Sequence, residues 1–227
     1  MTLYPSVRYF LPLLAALLTS SALAAPTQID LSADASRPAA NDLARATVFA
    51  EASGATPGEL ANRIKGLIAE GLKTAKGYAS IKTQSGSTNT YPIYAKGGKI
   101  ESWRMRSELT LESGDTVALS ELLGKLQATL GVSNLVMLPA PETRKKAENE
   151  ALLDAVSAFK SRAQLLADAL GKPYRIKQLS VSGGGRPPVM PMMRASAAYA
   201  ADAPPMPMEA GDTQVSANVS GQIELLE

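Results

Sequence analysis

The sequence of 227 residues contains no histidine and no cysteine. Without an imidazole or a thiol, the chain lacks Ser-His-Asp and Cys-His nucleophilic catalysis, thiol redox chemistry and the usual zinc sites. Disulfides and a lipid anchor on an N-terminal cysteine are excluded for the same reason. Acidic residues are scattered, without the spacing of paired catalytic carboxylates or of a calcium loop. The composition therefore predicts a protein that is not an enzyme and holds no metal or cofactor.

Strong charge of either sign is also missing. The chain has 23 basic and 21 acidic residues, for a formal net charge of +2, and only 5% of its residues are aromatic. Nucleic acids and anionic membranes attract strongly basic surfaces, and single-strand binders interleave basic with aromatic residues. The sequence shows neither pattern, so we expect no nucleic-acid partner.

The first 24 residues are typical of a secretory signal peptide. Arg8 supplies a positive start, and residues 11–18 form an apolar run shorter than the roughly 20 residues that span a bilayer. Residues 22–24, Ala-Leu-Ala, form a small-x-small cleavage site, which makes Ala24 and Ala25 the residues flanking the cut. The alternative is an uncleaved N-terminal anchor. We expect a mature chain of residues 25–227 without a transmembrane segment, located in the periplasm either free or associated with the envelope.

The run from Glu142 to Val181 carries the clearest pattern in the chain. Its apolar residues recur at steps of three and four, which predicts a long helix with one buried stripe; they are Leu152, Ala155, Val156, Phe159, Ala163, Leu166, Ala167 and Leu170. Gly171 suits a left-handed helix end and Pro173 blocks continuation. In the strand that follows, Tyr174 and Ile176 are out of step with Leu179 and Val181, which predicts a bulge near residues 177–178.

The segment before this helix predicts an α+β fold. Alternating or apolar runs at 44–52, 81–94, 103–111 and 135–138 indicate strands, and helices are expected after the N-caps Thr56 and Asp115. The resulting order is the split βαβ, ferredoxin-like order, with an antiparallel or mixed sheet and helices on one face. A short first strand at 29–33 is followed by a predicted turn at 37–42 around Pro38. The alternating run 214–225 is expected to pair with 174–181 or with an edge of the main sheet.

Residues 183–211 are rich in Gly, Pro, Ala and Met and are predicted to form a flexible loop. Five methionines lie in it: Met190, Met192, Met193, Met206 and Met208. Thioethers suit Cu(I), and methionine is also a sacrificial target for oxidants, because its sulfoxide can be reduced back. The alternative, which we favour, is an adaptable apolar arm that packs on this domain or on a neighbouring subunit.

Two further patterns suggest a function but also have a purely structural explanation. Ser157 and Lys160 match the S-x-x-K pattern of penicillin-interacting enzymes, but they lie inside the long helix and no partner motif appears. An exposed patch for a protein partner is the second hypothesis; its residues are Tyr91, Tyr94, Trp103, Arg104 and Arg106. Its alternative is that these strand residues divide between a core face and a solvated face.

The mature sequence resembles the SIMPL-domain (YggE-like) family of exported bacterial proteins. The resemblance is carried by residues 151–163, by the Ala169-Leu170-Gly171 helix end, by 81–83 leading into 91–94, by the Pro/Met/Ala-rich loop and by the closing alternating strand. At the first strand, residues 37–42 depart from the family's usual Gly-rich, Pro-Asp pattern. The resemblance implies a single α+β domain over residues 25–227, export to the periplasm or envelope, and self-association. It also implies a link to oxidative-stress defence, while an animal relative binds a signalling kinase, and it transfers no catalytic residues.

These observations predict an exported, non-catalytic binding or assembly module of the cell envelope, a homo-oligomer with a possible envelope partner. The alternative function is an oxidative-stress defence factor whose Met-rich loop scavenges oxidants or binds Cu(I). A hydrolase with a Ser-Lys pair is a third, weaker alternative.

Overall fold

The computed structural model describes residues 26–183 and 210–226. The expected signal peptide, its cleavage site and the five loop methionines lie outside the described residues. Ten elements follow one another: β1 (Gln28–Ala40), β2 (Leu43–Gly54), α1 (Pro57–Ala75), β3 (Lys82–Tyr94), β4 (Ile100–Ser113), α2 (Thr116–Leu126), β5 (Gly131–Leu138), α3 (Pro141–Ala169), β6 (Tyr174–Gly183) and β7 (Asp212–Leu225). These three helices and seven strands confirm the predicted α+β class.

The central segment forms a four-stranded sheet in the order β3-β4-β2-β5, with every neighbouring pair antiparallel. This is the strand order of the split βαβ, ferredoxin-like arrangement, as the sequence predicted. Helices α1 and α2 pack on one face, where the alternate small residues of β2 are buried; they are Ala44, Ala46, Ala50 and Ala52. Because these side chains are small, both helices come close to the sheet.

The two predicted helix caps are present. The Thr56 side chain accepts a hydrogen bond from the backbone N–H of Glu59, and Pro57 occupies the first turn of α1. Asp115 accepts in the same way from the N–H of Ala118 at the start of α2. Each cap satisfies a backbone donor that the first turn of a helix leaves open.

The remaining strands form a second, three-stranded sheet in the order β1-β7-β6, again antiparallel. Helix α3 packs on one face of it through a stripe with a spacing of four residues: Ala147, Ala151, Ala155, Phe159, Ala163 and Ala167. Of the two predicted partners for the closing strand, the structure shows β6, and it adds β1. The two further strands expected after the long helix therefore belong to a separate sheet.

The turn predicted at residues 37–42 is wrong, because β1 continues to Ala40. Pro38 pairs with Gln214 within the ladder, and Arg37 on the same strand donates to Asp154 of α3. Proline lacks a backbone N–H donor. Because β1 is an edge strand with a neighbour on one side only, the missing donor need not cost a hydrogen bond of the ladder. The chain turns only at Asn41 and Asp42.

The helix end and the bulge that the sequence predicted are both confirmed. Gly171 has φ +64°, in the left-handed region, directly after the end of α3. The β6–β7 register shifts between Ile176 and Gln178, which leaves Lys177 as the extra residue. The bulge places Ile176, Leu179 and Val181 opposite residues of β7 that face α3.

The two connections between the sheets lie side by side. Asp42, between β1 and β2, accepts a hydrogen bond of 2.6 Å from the backbone N–H of Ala140 and another from the Thr143 hydroxyl. Ala140 is the N-cap residue of α3 and provides no side-chain cap of its own, and Thr143 lies in the first turn of the helix. These two donors lower the pKa of the Asp42 carboxyl. Asp42 is therefore a cap supplied from a distant part of the sequence.

Candidate functional site

The outer face of the four-stranded sheet carries a network of charged side chains. Arg45 donates to Glu112 at 2.6 Å, and Arg106 donates to Glu108 at 3.0 Å. Arg104 and Arg106 each lie 3.8 Å from Glu51. Within the described ranges no helix packs on this face. Because the basic and acidic groups largely neutralise one another, this face carries mixed charge and no strong potential of either sign.

Phe49 lies at the centre of this face between a charged group and a glycine. The Arg106 guanidinium lies 3.7 Å from the centroid of the Phe49 ring. A Cβ at Gly131 would fall 2.5 Å from the ring, so a larger residue there would have to displace the Phe49 side chain. The ring therefore contacts both the Arg106 guanidinium and the Gly131 backbone region and is only partly exposed.

The structure separates the five residues of the predicted partner patch. Tyr91, which is half exposed, lies opposite Arg104 on the outer face, beside Arg106. Trp103 is opposite Pro92 and packs against the buried core beneath the helices, on the other face of the sheet. Tyr94 lies near the β3–β4 turn, paired with Ile100. Only Tyr91, Arg104 and Arg106 therefore share one surface.

A second exposed surface follows the edge strand β6. Its apolar residues Ile176, Leu179 and Val181 are 38%, 39% and 44% exposed, although they lie on the face of the sheet that α3 covers. Helix α3 packs mainly over β1 and β7, so β6 extends beyond it. We call these three residues the β6 strip. Sequence periodicity located the strip and its bulge, but it could not show that the helix stops short of this strand.

Leu152 and Val156 of α3 are partly buried and extend the apolar surface toward the β6 strip. A Cβ at Gly183, the last residue of β6, would lie 3.7 Å from the Leu152 side chain, so helix and strand meet there. At the other end Arg175 pairs at 2.7 Å with the buried Glu224, which lowers the pKa of that carboxyl. The ion pair and the Lys177 bulge leave residues 178–183 as the regular part of the edge.

One known protein family matches the chain over all seven strands and three helices described above. The family model called SIMPL, described as a protein of unknown function (DUF541), matches residues 29–223, from the first strand to the last. The chain belongs to the SIMPL family. A search among curated proteins finds no relative that matches it. Membership confirms the resemblance seen in the sequence and shows a family without showing an activity.

The possible chemical residues of this SIMPL protein do not assemble into a centre. Ser157 and Lys160 are both exposed on α3, and neither side chain makes a hydrogen bond or an ion pair within the described part of the chain. The Lys160 backbone carbonyl accepts from the Tyr174 hydroxyl. Across residues 26–183 and 210–226, no group of three or more acidic side chains is placed to hold a metal ion. No helix in these ranges combines the length with the apolar character needed to cross a membrane.

Proposed function

We propose that this SIMPL protein is an exported, non-catalytic binding and assembly module of the cell envelope that self-associates through β6. The observation that carries the proposal is the β6 strip, three half-exposed apolar side chains on a strand at the edge of a sheet. An edge strand presents unpaired backbone donors and acceptors, and it is a ready template for another strand. Soluble proteins blunt such an edge with lysines and bulges, and β6 has both at Lys177, which leaves residues 178–183 without them.

The geometry favours pairing between two copies of β6. A two-fold axis brings the same surface of both subunits together, and two antiparallel strands satisfy that symmetry. The Lys177 bulge interrupts the edge, so pairing would run over residues 178–183. The Leu179 and Val181 side chains of both copies would then cover one another together with Leu152.

The test measures the mass of the mature chain in solution. Sedimentation equilibrium at micromolar concentration is expected to give more than one chain per particle, and Leu179→Asp with Val181→Asp is expected to give one. Ile100→Asp is the matched control, because Ile100 is also half exposed but lies by the β3–β4 turn. A monomeric wild-type chain, or an oligomer that Ile100→Asp alone disrupts, would contradict the proposal.

Export is part of the proposal and rests on the pattern of residues 1–24. The expected mature protein begins at Ala25 and is found in the periplasmic fraction of a Gram-negative host. Intact-mass analysis of the fractionated protein tests this directly. A full-length chain retained in the cytoplasm or in the membrane would contradict it.

The absence of catalysis is also proposed. Its support is the lack of histidine and cysteine in the sequence together with the isolated positions of Ser157 and Lys160. A fluorophosphonate probe that reacts with activated serines is expected not to label the chain. Labelling that disappears in Ser157→Ala and in Lys160→Met would overturn this part of the proposal.

The oxidative-stress function is the second candidate. It is favoured by the concentration of five of the eight methionines, between Met190 and Met208, in a segment outside the described residues. Mild peroxide followed by peptide mass spectrometry is expected to oxidise these five before Met105, which is buried. Changing all five to Leu would also remove any Cu(I) binding. Equal oxidation of buried and loop methionines and no Cu(I) uptake would leave assembly as the function.

A further inference from the structure

A groove of about 480 Å³ opens between α1 and the edge strand β3, far in sequence from the β6 strip. Its walls are mainly apolar and include Ile64, Ile68 and Leu72 of α1 and Met105 of β4. Volumes of roughly 300–1,000 Å³ are typical of small-molecule sites, which are mostly apolar with a few polar groups. The size suits a small molecule better than a folded partner.

The groove exists because the helix does not cover the whole sheet. Helix α1 packs over β2 and β4 and barely reaches β3. The β3–β4 register shifts between Ser85 and Thr88, and in this irregular stretch Gly86 lies against β4. A Cβ at Gly86 would be 3.2 Å from the Glu108 carbonyl oxygen. Strand β3 therefore lines the groove with backbone atoms and small side chains, and none of its lining residues is large enough to fill the space beside α1.

Two kinds of polar group line this apolar space. The Thr88 and Ser107 hydroxyls form a hydrogen bond of 2.7 Å, so they satisfy one another on the strand side. On the helix side Lys65 borders the groove, and it forms no ion pair within residues 26–183 and 210–226. Ala61 and Ala69 lie one turn before and after Lys65 and also line the groove, which leaves space beside the ammonium group.

We propose that this groove binds a small amphipathic anion, with an apolar body along α1 and a single carboxylate at Lys65. Burial of the body against Ile64, Ile68 and Leu72 supplies most of the affinity, because apolar area removed from water is the main driving force. Charge complementarity selects the head group, since Lys65 is the only charged side chain among the lining residues. The site is separate from the β6 strip and does not depend on assembly.

The test uses decanoate as the probe, with decanol and decyltrimethylammonium as head-group controls. The two ions are kept below their micelle concentrations and decanol below its solubility limit. Calorimetric titration of the mature chain is expected to show saturable 1:1 binding of decanoate. Lys65→Met is expected to weaken decanoate binding about threefold to fivefold, the range for one exposed ion pair, without weakening decanol binding. The matched control Lys73→Met changes an exposed lysine at the end of the same helix and is expected to have no effect.

A second variant tests the apolar body. Ala69 is exposed at the groove, so Ala69→Phe fills the groove without disturbing the core, and circular dichroism checks that the fold is kept. Decanoate binding is expected to be lost in Ala69→Phe and unchanged in the β6 variant Leu179→Asp. The proposal is overturned if decanoate does not saturate, if Ala69→Phe binds it normally, or if the cationic probe binds as well as the anion. Loss of binding in Leu179→Asp alone would place the ligand at the β6 strip and likewise overturn the proposal.

Discussion

The ring of Phe159 lies directly against the backbone of Gly221. A Cβ at Gly221 would fall 3.1 Å from the Phe159 ring, 2.4 Å from the Gln178 carbonyl oxygen and 3.2 Å from the Leu179 Cα. Phe159 is the one large residue in the alanine stripe of α3 and is fully buried. It reaches the sheet where β7 has no side chain and where β6 bulges. The helix, the glycine and the bulge therefore depend on one another.

Gly221→Ala is expected to lower the free energy of unfolding by about 2 kcal/mol, within the range for overpacked cores. The added methyl group cannot be accommodated without moving β6 backbone, since its nearest neighbour is a carbonyl oxygen rather than a flexible side chain. Urea denaturation followed by circular dichroism measures the change. Gly66→Ala is the control, because a Cβ there meets nothing within 4 Å and alanine favours the helix by about 0.5–1 kcal/mol. Equal stabilities of the two variants would show that the contact is loose.

Asp42→Ala is expected to destabilise the protein by about 1 kcal/mol, as loss of a helix N-cap does. The variant removes both acceptor oxygens that tie the β1–β2 connection to the first turn of α3. The measurement is urea denaturation at neutral pH. Asp34→Ala serves as control, because Asp34 is exposed on β1 and its side chain makes no hydrogen bond within the described residues. An effect no larger than that of the control would contradict the capping role.

The same carboxylate predicts a dependence on pH. Its pKa is lowered in the folded protein from an ordinary value of 3.8, so the folded state binds the proton more weakly than the unfolded state. The Asp42 contribution is therefore complete at pH values well above 3.8 and declines as the pH falls through the folded pKa. Asp154 beside Arg37 and Glu224 beside Arg175 have lowered pKa values and act in the same direction. The stability difference between wild type and Asp42→Ala should shrink between pH 6 and pH 3, and a constant difference would refute the assignment.

Arg106→Ala is expected to cost about 1 kcal/mol through loss of the contact with the Phe49 ring and of the ion pair with Glu108. Arg106→Lys should recover only part of this, because an ammonium cannot stack flat on the ring as a guanidinium does. Double-mutant cycles with Phe49→Leu separate the ring from the carboxylate. Additive costs of the two substitutions would mean that the ring and the guanidinium do not interact.

Residues 43–138 are expected to fold as an isolated fragment. Leu43 and Leu138, the first and last residues of the segment that forms the four-stranded sheet, are direct partners in the ladder, so both cuts fall at neighbouring points. The core of this sheet is also a cluster of its own, distinct from the one beneath α3. Circular dichroism of the purified fragment should show native-like structure and a cooperative thermal transition. A fragment without a transition would show that the two sheets stabilise each other.

Local features were predictable from the sequence, and long-range ones were not. The caps Thr56 and Asp115, the helix end at Gly171 and the bulge at Lys177 depend on neighbouring residues, and all four are confirmed. The turn predicted around Pro38 is wrong, because whether a proline stops a strand depends on whether the strand is at an edge. That property is set by β7, which comes far later in the chain.

The candidate surfaces likewise depend on long-range contacts that the sequence does not reveal. Alternation on β4 predicted that Trp103 and Arg104 would face opposite ways, but not which face the helices cover. The groove beside α1 required the position of the helix over the sheet, and the cap at Asp42 required two connections to meet. No pattern within a window of ten or twenty residues contains that information.

The pairing of β1 with β7 has a consequence for how the chain reaches its native state. Gln28 is opposite Glu224, so β1, the first of the described strands, has no ladder partner until β7, the last of them, has been made. Contacts so distant in sequence slow folding, and a strand that waits unpaired is prone to aggregation. The three-stranded sheet can therefore close only after β7 has been made, whereas all four strands of the other sheet are available once the chain has reached Leu138.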